Sequence, residues 1–177
     1  MFGRMSEQSL YQRFLSVPHE IDSSMLQEFC RIDYRRTMAL VATVQEHSRS
    51  VIVGEGRYVR EPDADFADMA FAVADAHQGR GIGKILVRCL VEVARDKGLA
   101  GFTGEVLAAN SAMIHVFHAV GLSVETTQRG GAYQVRVSWR DPDGRAGRCG
   151  WLGRILRRAG RKEGGESVPP KPRVWAD

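Results

Sequence analysis

The sequence predicts an α/β fold organised around a glycine turn between a strand and a helix. Three observations carry this. The apolar run Asp68-Met69-Ala70-Phe71-Ala72-Val73-Ala74 leads into Gln78-Gly79-Arg80-Gly81-Ile82-Gly83, which opens an amphipathic helix from Ile82 to about Lys97. Strand-like runs flank this unit in hairpin spacing, Met38–Gln45 with Val51–Arg60 and Leu122–Thr127 with Ala132–Trp139. Stretches with helical periodicity alternate with them.

In chain order, Leu10 to Ser16 alternates as a first strand does. Asp22-Ser23-Ser24 precedes a helical pattern of Met25, Leu26, Phe29 and Ile32, with Ser24 and Gln27 at capping-box spacing. Asp33-Tyr34-Arg35-Arg36 leads out of it. The first hairpin turns at Ser48-Arg49-Ser50, and Glu61-Pro62-Asp63-Ala64-Asp65 breaks the pattern. Phe66 to Asp75 is the strand before the glycine turn. Its alternation sends Met69, Phe71 and Val73 one way and Asp68, Ala70, Ala72 and Ala74 the other. The alanine face is nearly bare, as where a helix or ligand packs; a β-bulge would move the assignment by one. In the next helix Ile82, Ile85, Leu86, Cys89, Leu90 and Val93 share a face. Lys97-Gly98 ends it with a cation and a glycine cap. Phe102–Leu107 is a strand. Asn110-Ser111 caps a helix bearing Met113, Val116, Phe117 and Val120, stopped by Gly121. Gly130-Gly131 turns the last hairpin, whose Tyr133, Val135, Val137 and Trp139 share a face.

The 177 residues suffice for one domain with a real core and a tail. No apolar run approaches the ~18 residues of a membrane span, and no basic-then-apolar secretory pattern opens the chain, so a cytoplasmic protein is expected. Cys30, Cys89 and Cys149 are odd in number and far apart, which fits neither a disulfide framework nor a zinc site. Reduced thiols are expected, no metal, and a core position for Cys89. The net charge of +4 is unevenly placed: residues 1–140 hold 16 basic and 16 acidic side chains, residues 141–177 hold 9 and 5. The folded part is therefore neutral and nucleic acid is not an expected partner. We place the domain at residues 1–140 and a basic Gly/Pro-rich disordered tail at 141–177, which has 7 glycines and 4 prolines. Trp151, Leu152, Ile155, Leu156, Arg157 and Arg158 have the pattern of a short basic amphipathic helix that would anchor to acidic lipid or to a partner. Glycines at 150, 153 and 160 weaken it, and a solvated tail is the plainer reading.

The glycine turn carries the chemistry. The first N–H groups of a helix have no intrahelical acceptor, and the helix dipole adds partial positive charge there. Glycines let a ligand approach the bare backbone, so a phosphate or pyrophosphate is the natural guest. Arg80 and Lys84 add fixed charge beside it. A Walker loop is excluded, because Ile85 follows Lys84 where Ser or Thr is needed and Gln78 replaces the first glycine. The dinucleotide fingerprint is excluded too, because Gly79, Gly81 and Gly83 are not spaced G-x-G-x-x-G. A pyrophosphate loop of the form Gln-Gly-x-Gly-x-Gly remains, with a ligand-free turn as the plain alternative.

That loop resembles the one by which GNAT acetyltransferases bind acetyl-CoA. The resemblance covers about residues 8 to 140. Within GNATs the chain is similar to the acetyltransferase domain of bacterial Pat-type protein lysine acetyltransferases. The stretches that carry this are Asp33-Tyr34, Met38–Ala42, Arg57–Arg60, Ala67–Phe71 into Val73-Ala74-Asp75, Gln78–Gly83, Glu105-Val106-Leu107 before Asn110, and Met113–Phe117 through Gly121. It implies the GNAT fold: a central mixed, mostly antiparallel sheet splayed at the cofactor site, with helices on both faces. The cyclic-nucleotide-binding or acyl-CoA synthetase-like domains that Pat enzymes often carry do not fit in this length.

The resemblance also implies a reaction and its residues. Acetyl passes directly from acetyl-CoA to an amine, with no covalent enzyme intermediate and no metal. The pantetheine arm would bond to backbone near Phe71 and Val73, and the pyrophosphate to Gln78, Gly79, Arg80, Gly81, Ile82, Gly83 and Lys84. Val73 N–H would polarise the thioester carbonyl. Asn110 matches the asparagine that touches the cofactor arm. Phe117, counted with the arm contacts, stands where many GNATs have the tyrosine that protonates the leaving thiolate. Asp68 matches the Pat glutamate that acts as general base and is one methylene shorter, which favours a bridging water. Glu105 is the second candidate base; an ordinary strand-edge acid is the plain reading of Asp68. His115 and His118 read as surface helix residues and His77 as a loop residue. The acceptor is expected to be a protein lysine, with an acyl-CoA synthetase among the candidate proteins. A small amine is the alternative, as is a non-catalytic acetyl-CoA sensor.

Overall fold

Two hairpins and one crossover build the sheet of the computed structural model, which describes residues 1–15 and 23–139. The elements are α1 (Glu7–Phe14), α2 (Ser23–Cys30), β1 (Thr37–Glu46), β2 (Arg49–Val59), β3 (Phe66–Val73), α3 (Ile82–Asp96), β4 (Gly101–Leu107), α4 (Ser111–Ala119), β5 (Ser123–Arg129) and β6 (Ala132–Ser138). The β1–β2 hairpin turns on His47 and Ser48, with φ of 47° and 66°. Positive φ at both central residues matches the twist of the flanking strands. Gly130, with φ of 58°, opens the corresponding turn between β5 and β6.

The strand order is β1-β2-β3-β4-β6-β5. Every pairing is antiparallel except β3–β4, which the α3 crossover makes parallel. β4 pairs with β6 along its whole length, Gly101 to Leu107. With β3 it pairs only from Phe66↔Gly101 to Asp68↔Thr103. Beyond Asp68 the two central strands part, and the second half of β3 borders a split. The predicted splay is present.

The helices lie on both faces, and the Gly54-Glu55-Gly56 sequence of β2 shows why. A Cβ at Gly54 would stand 3.2 Å from Ile82 and Leu86, and one at Gly56 3.1 Å from Leu90. Glycine lets α3 rest directly on the strand. Alternation then sends Glu55 to the opposite face. There α1 meets it through Arg13, whose Nη2 donates to Glu55 Oε2 at 3.2 Å. Arg57 on the same face donates from Nη2 to the Phe29 carbonyl of α2 at 2.7 Å. The main core fills the α3 and α4 side with Met69, Leu90, Phe102, Val106, Phe117 and Trp139 among others. All described residues fall in one compact unit.

Tyr58 is a weak point in that core. Its side chain is buried and its hydroxyl has no hydrogen-bond partner among the described residues. Burial pushes its phenol up to about 12. An unsatisfied buried hydroxyl costs about 1–3 kcal/mol. Tyr58→Phe is therefore expected to stabilise the fold by about 1 kcal/mol, seen as a higher denaturation midpoint in urea at unchanged slope.

Five expectations are corrected. Leu10 to Phe14 belongs to α1, not to a strand. Ser6 caps that helix by accepting from Ser9 N–H at 3.3 Å, and Leu15 leaves it with φ of 56°. Ser24 lies inside α2, which starts at Ser23, so it does not occupy the cap. The buried stripe of α3 is Leu86, Val87, Leu90, Val91 and Ala94; Ile85 is exposed and Cys89 half-buried. Leu26 of α2 is exposed as well. The first hairpin turns at residues 47 and 48, slightly ahead of the Ser48–Ser50 expectation. β3 keeps an unbroken register with β2, while β1 and β2 shift near Ala42 and Thr43. Ser16, Asp22, Arg140, Cys149 and the expected tail lie outside the described residues.

Candidate functional site

The split beside β3 and the glycine turn form one cavity of about 770 Å³, large enough for a cofactor-sized ligand. Its walls come from Phe71 and Val73 of β3, the glycine turn, the start of α4 at Asn110, and Ser9 and Arg13 of α1.

The backbone of β3 is what the wall offers. Ala74 N–H donates to Val53 O at 2.8 Å, which sets the phase of the ladder with β2. Backbone groups along an antiparallel strand point alternately to its two sides. Ala70 and Ala72 thus bond toward their β2 partners Arg57 and Glu55, while Phe71 and Val73 turn their N–H and C=O into the split. The Gln78 side chain donates from Nε2 to Val73 O at 3.1 Å and to Ser9 Oγ at 3.2 Å. That occupies the Val73 carbonyl and leaves its N–H for a ligand.

The turn offers a second row of donors. Gly79 and Gly81 have φ of 71° and 81°, and a Cβ at either would meet nothing within 4 Å. These glycines serve the left-handed backbone and the open approach, not packing. Gly81 is the N-cap of α3 and supplies no side-chain cap. The first bonded amide is Ile85 N–H, to Gly81 O at 3.1 Å. Among the described residues, Gly79 to Lys84 have no backbone acceptor for their N–H groups. Bare amides at a helix N-terminus beside Lys84, which lines the cavity, fit a pyrophosphate.

Other expected residues take more specific places. Asn110 caps α4, its Oδ1 accepting from Met113 N–H at 3.2 Å, and lines the cavity. Phe117 is 2% exposed, with its ring edge-on to Phe71 at 6.0 Å; it backs the wall and does not line it. Arg80 stands outside the lining, whereas His77 and His115 are part of it. Asp68 and Glu105 share one sheet face, since Asp68 pairs with Thr103 and Glu105 lies two residues further along β4. Both are exposed and stand where the strands begin to part, beyond the cavity's own lining. The Asp68 carboxyl is pushed up from its ordinary range, first by burial and then by Glu105, against the opposing charge of Arg13. Among the described residues no cluster of His, Cys, Asp and Glu could hold a metal ion, and no helix is long and apolar enough to cross a membrane.

The α1 wall is absent from the sequence reading. Ser6 followed by Glu7 is a helix-start signal that marks it. Asp75, just after β3, locks α1 in place: its carboxylate accepts from Ser6 N–H (2.9 Å), Ser6 Oγ (2.7 Å) and Ser9 Oγ (2.8 Å). The Ser6 hydroxyl bond is the main cause that holds the Asp75 carboxyl below its usual range. A depressed carboxylate stabilises the fold above its unfolded pKa, and the contribution disappears as pH falls through the lower folded value. Asp75→Ala is expected to cost about 1–2 kcal/mol at pH 7 and to weaken cofactor binding. The difference from the parent should vanish in strong acid; equal unfolding midpoints at pH 7 would remove this role.

Comparison with known proteins agrees with this geometry. The profile of the Acetyltransferase (GNAT) family matches residues 7–122. An acetyltransferase of Pseudomonas aeruginosa is 32% identical over 141 residues, covering 80% of this chain and 68% of that protein. Acetyltransferase Pat of Mycolicibacterium smegmatis is 34% identical over 117 residues, 66% of this chain; the match spans only 34% of that longer protein. The crystal structure of the GNAT domain of S. lividans PAT superposes with a TM-score of 0.68 at 30% identity, covering 76% of this chain and 79% of that domain. The fold is shared as well by an acetyltransferase of Salmonella typhimurium solved with acetyl-CoA, at a TM-score of 0.55 and 20% identity, over 76% of this chain and 81% of that one. The chain belongs to the GNAT acetyltransferase family and resembles its Pat members. It is accordingly an acyl-CoA-dependent N-acetyltransferase with acetyl-CoA as co-substrate.

Proposed function

We propose that the protein acetylates the side-chain amine of a protein lysine, with Asp68 as general base. The observation that carries this reading is the pair of exposed carboxylates, Asp68 and Glu105, on one open sheet face at the mouth of the split. A lysine ammonium with a pKa near ~10.4 must lose a proton before it can attack. Although Asp68 reaches solvent, partial desolvation and the neighbouring Glu105 raise its carboxyl, and a raised carboxylate is a better proton acceptor near neutral pH than an ordinary one. In this reading the acceptor side chain enters over the Asp68 face, and Asp68 takes its proton directly or through one water. The neutral nitrogen attacks the thioester carbonyl, whose oxygen is polarised by Val73 N–H. The carbon–sulfur bond then breaks and the nitrogen gives up its remaining extra proton to water, yielding the N-acetylated lysine and CoA thiolate. Pyrophosphate contacts at Gly79 to Lys84, and arm contacts at Phe71 and Asn110, hold the donor in register. Similarity to Pat supports a protein acceptor, an acyl-CoA synthetase among the candidates, and we place the reaction in the cytoplasm, where acetyl-CoA is available.

The test is acetyl transfer followed by mass spectrometry. Purified protein is incubated with acetyl-CoA and, separately, with lysine-bearing protein acceptors and small polyamines. Acetyl-lysine in the protein acceptors is the expected product. Transfer to small amines alone would replace the acceptor, and tight CoA binding without any transfer would make the protein a sensor.

A further inference from the structure

The reaction leaves one charge without a partner: the thiolate of departing CoA. The side chain that backs Phe71 from α4 is Phe117, which has no proton to give. The cavity nevertheless contains a cation. Arg13 lines it from α1, its side chain is only 7% exposed, and its Nε–H has no hydrogen-bond partner among the described residues. A buried guanidinium with an uncommitted donor is an unusual object, because such donors are normally satisfied.

Its position is set from three sides. Glu55 accepts from Arg13 Nη2 at 3.2 Å and from Arg57 Nε at 2.6 Å. The rings of Phe14 and Phe29 lie 5.1 and 5.3 Å from the Arg13 guanidinium carbon. Glu55 pairs with Ala72 in the β2–β3 register, between the two residues whose N–H groups face the split. Arg13 therefore overlies the strand segment that holds the acyl end of the donor. Ser9, one turn earlier on the same helix face, marks the pyrophosphate end through its bond with Gln78.

Resting on the acetyltransferase reading above, we propose that Arg13 is a catalytic residue whose guanidinium stabilises the CoA thiolate as the carbon–sulfur bond breaks. The electron pair of that bond goes to sulfur. Arg13 sets its fixed positive charge beside it at the cavity wall, without transferring a proton, and the thiolate is protonated by water after release. Desolvation works against the cation and Glu55 offsets part of it; an arginine stays charged throughout. The other ionisable groups around the site are Lys84 of α3, His115 of α4 and His77, with Asp68 and Glu105 beyond the split.

The test reads the thiol itself. CoA is bound to the full chain and titrated by the ultraviolet absorbance of its thiolate. The bound thiol is expected to ionise about 1–2 pH units lower than free CoA, as a close opposite charge dictates. Arg13→Met should abolish that displacement and lower kcat about 10²–10³-fold, the range for loss of one transition-state donor, with a smaller change in KM. Arg57→Met removes the other partner of Glu55 outside the cavity. It should cost similar stability and leave the thiol titration unchanged, which separates charge at sulfur from fold integrity. Arg13→Lys should retain part of the displacement. Identical titration of CoA bound to parent and to Arg13→Met would overturn the proposal. Failure of the parent to bind CoA at all would overturn the acetyltransferase reading with it.

Discussion

Asp68→Asn is expected to lower the acetyl-transfer rate by about 10²–10⁴-fold at neutral pH, the usual worth of general-base assistance, while acetyl-CoA affinity stays at the parent value. The substitution is nearly isosteric. Asp68 is exposed on β3, so it should leave the fold intact. It removes the proton acceptor at the mouth of the split, so the acceptor amine must reach its neutral form unaided. Raising the pH should return part of the lost rate. In the parent the rate should rise with pH through the Asp68 pKa, because only the carboxylate accepts a proton; burial and Glu105 move that rise above the ordinary aspartate range. Asp68→Glu should keep or raise activity. Stopped-time transfer assays across pH check the parent and both Asp68 variants beside Glu105→Gln. Full activity in Asp68→Asn with loss in Glu105→Gln would move the base to β4. If neither variant slows transfer, proximity and carbonyl polarisation alone supply the catalysis.

Gly81→Glu is expected to abolish acetyl-CoA binding. Gly81 holds φ of 81°, where a side chain strains the backbone, and it caps α3 with an N–H that has no backbone acceptor among the described residues. A Cβ there meets no protein atom within 4 Å, so the fold itself has room for the new side chain. The loss should therefore fall on the ligand, through a carboxylate set against a pyrophosphate. Gly81→Ala separates the two causes: it keeps the φ strain and omits the charge, and should weaken binding much less. Calorimetry on folded protein gives the answer, and unchanged affinity in Gly81→Glu would remove the turn from the cofactor site.

The crossover and its turn were legible because their signals are local. Gly79, Gly81 and Gly83 follow an apolar run and precede a helix with strong periodicity; Gly79 and Gly81 hold left-handed backbone, and Gly83 packs against Phe71. Asn110 and Gly121 bracket α4 in the same local way. The α1 wall was not legible as such. Leu10 to Leu15 has apolar residues compatible with either period, and its helix is held by Asp75, 66 residues from Ser9. The Arg13–Glu55 pair spans 42 residues and joins a helix to a strand that no periodicity links. The buried stripe of α3 was misjudged around Ile85 because it is set by contact of Ile82, Leu86 and Leu90 with Gly54 and Gly56. That contact depends on glycines in another element. Of the site, the backbone donors could be read from the chain, and the charged groups brought in from α1 and β2 could not.

The placement of the donor is the central claim, and a structure of the protein bound to acetyl-CoA tests it most directly. The pyrophosphate is expected on the N–H groups of Gly79 to Lys84, the thioester oxygen within hydrogen-bond reach of Val73 N–H, and the sulfur beside Arg13. A cofactor seated away from the glycine turn, or a thioester out of reach of β3, would contradict it.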